Sequence, residues 1–442
     1  MCVGIKPRSF LEEDEVQQWP VTCGPAALRP PSHRTMPGVV GRHRALRVLW
    51  SPMAQQGCWY PAMGLALALR ARGHEVVAVS RPELGSALAS FDIELRPDRV
   101  TPWPAALGPG GEPPADLDQA LRRKVHVARA HRDHVADLLA EERFDLVLAD
   151  GFRLGAGFAA GEARVPWASY THHQFDDRTT SEGVVAMWWD RFRPDRPLRQ
   201  VFVEWWRTLR DELGVGPERL PEADATWWNL SPHAALVLGL PELLGHTGPA
   251  PATVHHVGPS LWDGPPAPPP PWLDGLGRDR PAVLVALSAG TYQDGPTLVA
   301  AARAAHDQGA DVVATLSIPR DVPDLPAGTI VALSVPHGLV LPRVRAVVAT
   351  GGLGTVTRVA CAGLPSVLVP RANDQFLVAE RAAAAGIAVR LLPGELDDRR
   401  LGAALERALT DPDMAASAAR LRGACARHDA PAAAAAILES LA

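Results

Sequence analysis

From Ala346 to Gln375 the chain reads AVVATGGLGTVTRVACAGLPSVLVPRANDQ. Its residue types carry two kinds of chemistry. Thr350, Gly351, Gly352, Gly354 and Thr355 form a turn of small residues between a strand-like run and a helical one. Such a turn presents bare backbone N–H groups at a helix N-terminus. Unpaired amides and the helix dipole both favour negative charge there, so the turn suits a phosphate or diphosphate. Asp374 and Gln375 follow one strand later, where the chain passes from strand into helix. A carboxylate cannot assist a diphosphate and is better suited to hydroxyls. Diphosphate and hydroxyls together point to a nucleotide-activated sugar as ligand.

A second set of reactive residues lies nearer the N-terminus. Asp150 follows the apolar strand Leu146–Ala149, and His172 and His173 follow the strand Pro166–Tyr170. A carboxylate raised in pKa by burial can take a proton directly or through water, and so can an imidazole. Each has a plainer alternative. Asp150 suits a cap for the helix after Gly151, Asp374 suits the N-cap of the helix Gln375–Ala385, and single histidines are usually structural.

Strands alternate with helices on both sides of these residues. Val48–Trp50, Glu75–Ser80, Asp145–Ala149, Pro166–Tyr170 and Ala235–Leu240 read as strands, with helices such as Pro61–Arg72 and Val125–Glu142 between them. Pro61 suits a first helical position and Gly73 a helix stop. A second series runs Ala282–Leu287, Asp311–Leu316, Thr329–Leu333, Ala346–Ala349, Ser366–Val369 and Ile387–Leu391. This alternation predicts an α/β fold with parallel sheets covered on both faces. The stretch 241–279, with its run Pro268–Pro271, reads as a linker. Residues 44–240 and 280–442 then form two similar Rossmann-like domains facing across a cleft. Residues 1–43 lack periodicity and read as a disordered leader, or as lying ahead of a start near Met36.

Composition narrows the function classes. The 442 residues are 47% hydrophobic and 21% charged, with a net charge of −5, which excludes a disordered chain. No dense Lys/Arg block invites nucleic acid. No apolar run is long enough for a membrane span, and no secretory signal heads the chain. Five dispersed cysteines without CxxC spacing fit a reducing cytoplasm and no structural zinc. All 13 tryptophans lie at or before Trp272, with adjacent pairs at Trp188/Trp189, Trp205/Trp206 and Trp227/Trp228. Neighbouring tryptophans on a helix cannot share one face, so some are expected to line an apolar cleft.

These motifs, in this order, resemble the family-1 glycosyltransferases of GT-B fold, especially the actinobacterial enzymes that glycosylate antibiotics. The resemblance rests on Thr350–Thr355, Gly363-Leu364-Pro365, Pro370, Asp374-Gln375, Val335-Pro336-His337, Leu341-Pro342, the Ser288–Thr291 loop and His256–Pro259. In the N-terminal half it rests on Arg47–Leu49, Gly57 with Pro61, and Arg72–Val76. It implies inverting transfer of a sugar from a TDP- or UDP-sugar to an apolar acceptor such as a polyketide. It implies no metal and no cofactor beyond the nucleotide-sugar co-substrate. Gly290, Thr291, Val335, His337 and the Thr350–Thr355 turn would hold the nucleotide, and Asp374 and Gln375 the sugar. A homodimer is left open.

Three positions depart from the pattern. The family's catalytic histidine after the first glycine is Cys58 here, the histidine before the paired glycines is Thr350, and the aromatic ahead of the Val-Pro pair is Ser334. Cys58 inherits the position of the base, although an ordinary thiol is a poor one. Asp150 matches the carboxylate that orients the missing histidine. The alternatives are a catalytically silent relative that binds and activates another glycosyltransferase, and an epimerase or hydrolase of the same fold. A nicotinamide enzyme is a further alternative, since Gly352-x-Gly354 opens a GxGxxG-like run whose third glycine is Thr357.

Overall fold

The computed structural model describes residues 44–98, 117–172, 207–208, 211–212, 231–244, 252–265, 268–287, 295–316, 325–333, 335–371 and 374–442. The expected leader, His173, Gly290, Thr291, Ser334 and the three tryptophan pairs lie outside them.

The chain builds two wholly parallel sheets. The first contains β1 (Arg47–Ser51), β2 (Glu75–Ser80), β3 (Glu94–Pro97), β4 (Leu146–Asp150), β5 (Trp167–Thr171), β6 (Ala234–Val237) and β7 (Val254–His256). Their spatial order is β3-β2-β1-β4-β5-β6-β7. The second contains β8 (Ala282–Ala286), β9 (Asp311–Leu316), β10 (Ile330–Leu333), β11 (Ala346–Ala349), β12 (Ser366–Leu368) and β13 (Ala388–Arg390), in the order β10-β9-β8-β11-β12-β13. Central strands rich in Val, Leu and Ala are buried on both faces, as parallel strands between helical layers must be. Leu49 pairs with both Val77 and Val147, and Val348 with both Val285 and Val367.

The helices follow from their apolar stripes: α1 (Gln56–Ala71), α2 (Leu117–Glu141) and α3 (Leu154–Glu162) in the first half, and α4 (Gly295–Asp307), α5 (Leu353–Ala362), α6 (Gln375–Ala384), α7 (Asp398–Thr410), α8 (Pro412–Cys425) and α9 (Ala430–Glu439) after it. Among the described residues no helix is long and apolar enough to cross a membrane.

The strand order fixes where a ligand can sit. In each sheet the chain winds outward from a central strand and then returns to its other side. The reversal falls between β1 and β4 in the first sheet and between β8 and β11 in the second. Loops leaving adjacent strands in opposite directions leave a crevice beyond the carboxyl ends. Ser51 and Asp150 end the first pair of strands, and Ala286 and Ala349 the second.

Five local features differ from the sequence expectation, the first being the edge strand β3, whose residues ELRP carry no hydrophobic alternation. Helix α1 begins at Gln56, so Pro61 lies inside it and Cys58 sits in its first turn, where its N–H donates to the Gln55 carbonyl at 2.8 Å. Proline removes one backbone bond, but the apolar face of Trp59, Ala62, Met63, Leu65, Ala66 and Leu69 holds the helix together. Within the proline-rich stretch, Val254–His256 pairs with β6 and completes the first sheet.

The other two differences concern the C-terminus. Helix α9 leaves the second half and packs on α1, burying Ala430, Ala434, Ala435 and Leu438 in the core of the first. Burial of Leu438 alone contributes about 2 kcal/mol. Glu439 at its end accepts from Arg72 Nε at 2.6 Å and lies 2.8 Å from His74 Nε2. Finally, Cys361 and Cys425 are disulfide-bonded, with Cα atoms 5.3 Å apart. They are 64 residues apart in sequence, and their spacing hid that α5 and α8 end side by side.

Candidate functional site

The second-half face of the site is the turn from β11 into α5. Thr350 is buried. Gly351 adopts φ +88°, and a methyl there would come within 3.1 Å of the Gln375 carbonyl oxygen. Only glycine fits that left-handed position with so close a neighbour. The contact sets the start of α6, with Asp374 and Gln375, against the start of α5. Gly352 is the N-cap of α5 and supplies no side-chain bond, whereas Asp397, Asp411 and Asp429 cap α7, α8 and α9. A methyl at Gly352 or Gly354 would meet no heavy atom within 4 Å. A side chain at either position would therefore point into open space, and no N-cap side chain covers the first turn of α5. Thr355, half-buried, presents its hydroxyl from the same turn.

Asp374 stands at the N-cap position of α6, as the plainer reading expects, but makes no side-chain capping bond to that helix. Gln375 is buried, and its Oε1 accepts from the Arg371 N–H at 2.8 Å, fixing the loop ahead of α6. His337 lies 3.2 Å from Thr315 Oγ1 across the end of β9. Burial, with the nearby Arg358 cation, pushes its pKa down to about 4, so it is neutral at ordinary pH. Half-buried Val335 lines a small apolar pocket with Trp272, Pro268 and Pro270.

The first-half face contains Cys58, Asp150 and His172. Strand β4 ends at Asp150, which is buried. Its Oδ1 accepts from the Phe152 N–H at 2.9 Å, and its Oδ2 has no hydrogen-bond partner. Helix α3 starts later, after Arg153, and takes no side-chain cap from Asp150. Burial raises the Asp150 pKa to about 6, against the lowering effects of the Phe152 amide, Arg153 and the neighbouring Tyr170 hydroxyl. Tyr170 pairs with Asp150 across the β4–β5 ladder, and its phenol is pushed well up by burial and by the Asp150 charge.

His172 follows β5 and is buried. Ligand-type atoms of Cys58, Asp150 and His172 all lie within 4.8 Å of one another. Burial, then the charges of Asp150 and Asp374, push the Cys58 thiol well up, so it is not a thiolate waiting to act. Asp374 comes from the second half and Cys58 from the first. The Asp374 charge thus acts on the Cys58 thiol from the other half of the chain.

Several residues that shape the site carried no motif. Arg358, on α5, donates to the Trp262 carbonyl and lies 3.4 Å from Asp263. Trp262 packs against Tyr60 at 4.8 Å and Trp59 at 5.2 Å, both on α1. Helix α5 is thereby tied through Trp262 and Asp263 to the helix carrying Cys58. Beneath Asp150, Arg153 pairs with Asp98 and reaches Ser51, which lies 3.2 Å from His131. Burial and the Arg153 cation hold His131 neutral by lowering its pKa well. Arg153 is the N-cap residue of α3 and Arg358 lies in the middle of α5, both ordinary positions in sequence, so only tertiary structure reveals them.

Comparison with known proteins adds the family. Residues 298–441 match the family model of the erythromycin biosynthesis protein CIII-like C-terminal domain. The chain is 29% identical over 423 residues to 4'-demethylrebeccamycin synthase of Lentzea aerocolonigenes, covering 89% of this chain and 99% of that protein. It is 32% identical over 327 residues to the PGL/p-HBAD biosynthesis rhamnosyltransferase of Mycobacterium bovis, covering 69% of each. Among solved structures it resembles the calicheamicin glycosyltransferase CalG4, with TM-score 0.68 and 23% identity over 90% of this chain and 98% of that one. It also resembles the glycosyltransferase VinC, solved with dTDP, with TM-score 0.64 and 24% identity over 90% and 99%. With its twin parallel sheets and an uncapped glycine turn at the second switch point, the chain belongs to the family-1 GT-B glycosyltransferases and is a glycosyltransferase.

Proposed function

We propose that this glycosyltransferase moves a sugar, with inversion, from a TDP- or UDP-sugar to a hydroxyl of an apolar secondary metabolite. Residues 280–442 take the donor and residues 44–240 the acceptor. The reading is supported by the start of α5, which has no side-chain cap, in one half and by buried Asp150 at the end of β4 in the other.

The acceptor oxygen attacks the anomeric carbon on the face away from the leaving diphosphate. As that bond forms, the bond from the anomeric carbon to the phosphate oxygen breaks, and the diphosphate leaves with the electron pair. The acceptor proton passes to the Asp150 carboxylate, with His172 beside it. A carboxylate whose pKa is about 6 is mostly ionised at neutral pH and far more basic than an exposed aspartate. First-turn amides of α5 and the Thr355 hydroxyl meet the charge growing on the diphosphate, already oriented before reaction. Asp374 and Gln375 hold sugar hydroxyls, and Val335 and His337 adjoin the base. The family relatives acting on antibiotic scaffolds, and VinC with its bound dTDP, favour a TDP-sugar and an apolar acceptor.

Asp374→Ala should abolish transfer while leaving nucleoside diphosphate affinity nearly unchanged, measured by donor consumption and by calorimetric titration. Equal loss of both would remove Asp374 from the sugar site. No donor consumption by the wild-type chain with any aglycone, despite tight nucleotide binding, would favour the silent relative instead.

A further inference from the structure

We propose that Cys58, Asp150 and His172 form a binding site for a borderline-soft divalent ion of the Zn2+ class, and that occupancy of this site silences transfer.

One atom from each residue lies within 4.8 Å of the other two. Three protein ligands of sulfur, nitrogen and oxygen type, with a fourth position open, are a set that zinc accepts. In a filled tetrahedral site neighbouring ligand atoms stand about 3.5 Å apart, given metal–ligand lengths of about 2.0–2.3 Å. No pair in the cluster is therefore more than about 1.3 Å wider than in a filled site, within reach of small side-chain rotations. A second observation points the same way. Asp150 is 3% exposed, and its Oδ2 is buried with no hydrogen-bond partner. A buried carboxylate oxygen left unpaired is costly, and a cation would satisfy it.

The donor set also selects the ion. Thiolate and imidazole favour zinc, cobalt or copper over magnesium or calcium, which prefer all-oxygen sites. Asp150 and Asp374 supply negative potential at Cys58. The thiol gives its proton to solvent as the metal–sulfur bond forms, so binding releases a proton. The cluster joins three separate elements: the first turn of α1, the end of β4 and the residue after β5. An ion there would occupy the Asp150 oxygen and block the approach of an acceptor hydroxyl. The metal site itself rests on geometry alone, while its silencing effect rests on the assignment of Asp150 as base.

The two parts are tested separately. Zn2+ affinity is measured on the full-length, substrate-free protein by competition with a chromophoric chelator, and Co2+ binding by its sulfur-to-metal charge-transfer absorption. The wild type should bind one ion whose affinity falls at least about 10-fold in Cys58→Ser, with loss of the charge-transfer band. Saturating Zn2+ should also protect Cys58 of the unmutated protein from iodoacetamide, read by peptide mass spectrometry. Unchanged affinity in Cys58→Ser, or alkylation of Cys58 at the same rate with and without Zn2+, would overturn the site. Binding at Cys58 with no loss of donor turnover would overturn the silencing while leaving the ion site standing.

Discussion

At the scale of single residues, Asp150 carries the sharpest expectation. Its folded pKa of about 6 lies above the ordinary carboxylate value of 3.8. A raised carboxylate pKa means that the folded state binds more protons than the unfolded chain between those values. Stability is then greatest below about pH 4 and falls as pH rises through 6, by about 3 kcal/mol at most. Asp150→Asn removes that penalty. It should lower turnover about 100-fold or more while raising the melting temperature at pH 7.5, and the thermal gain should shrink as pH drops toward 4. The wild-type rate should rise through an acid limb near pH 6. Cys58→Ser should cost far less in turnover, because a thiol pushed up in pKa contributes little as a base. A steady-state pH profile and thermal melts of the three proteins check this, and the reverse ranking of the two variants would transfer the base role to Cys58. The position of Asp150 at a strand end was legible in the sequence. Its burial was not, because that depends on Tyr170 and Arg153, which arrive from β5 and the start of α3.

At the scale of elements, the turn into α5 separates binding from folding. Gly354 has ordinary backbone geometry and open space where a side chain would go. An acid in the first turn of a helix stabilises it by about 0.3–1 kcal/mol. Gly354→Asp should therefore leave the melting temperature unchanged or slightly raised. Nucleoside diphosphate affinity should fall at least about 10-fold, since a carboxylate would face the phosphates. Titration calorimetry with a parallel melt reads both, and retained affinity would exclude the turn as the diphosphate site. This turn was plain in the sequence because glycine spacing and a following helix are local features.

The clasp formed by α9 was not legible, since Glu439 meets Arg72 and His74, 367 and 365 residues away in the chain. Glu439 is held down to about 2 by its hydrogen bonds from Arg72, with His74 adding to the effect. A lowered carboxylate pKa gives stability that is present above about 4.5 and lost as pH falls toward 2. Glu439→Gln should cost about 2 kcal/mol at neutral pH, by chemical denaturation, with the difference from wild type fading in acid.

At the scale of the whole molecule, two features make one machine of two sheets. The topological reversal in each sheet creates a crevice, and α9 together with the Arg358–Trp262 contact joins the two halves. The pattern of strands and helices predicted both sheets apart from β3 and β7, because hydrophobic runs bounded by glycine and proline are a short-range signal, whereas the edge strand ELRP of β3 has no such run. It did not predict that β7 would be drawn from the proline-rich stretch, or that the last helix would cross back. Those depend on which apolar surfaces remain uncovered once the sheets have formed. The Cys361–Cys425 pairing belongs to the same class, being a consequence of how α5 and α8 pack.

The central claim is that the second half grips a diphosphate leaving group through the uncapped start of α5. Calorimetric titration of the purified protein with TDP and with thymidine tests it most directly. TDP should bind at least about 100-fold more tightly than thymidine, the difference being the diphosphate alone. Equal affinity for the two, or no binding of TDP, would contradict the account.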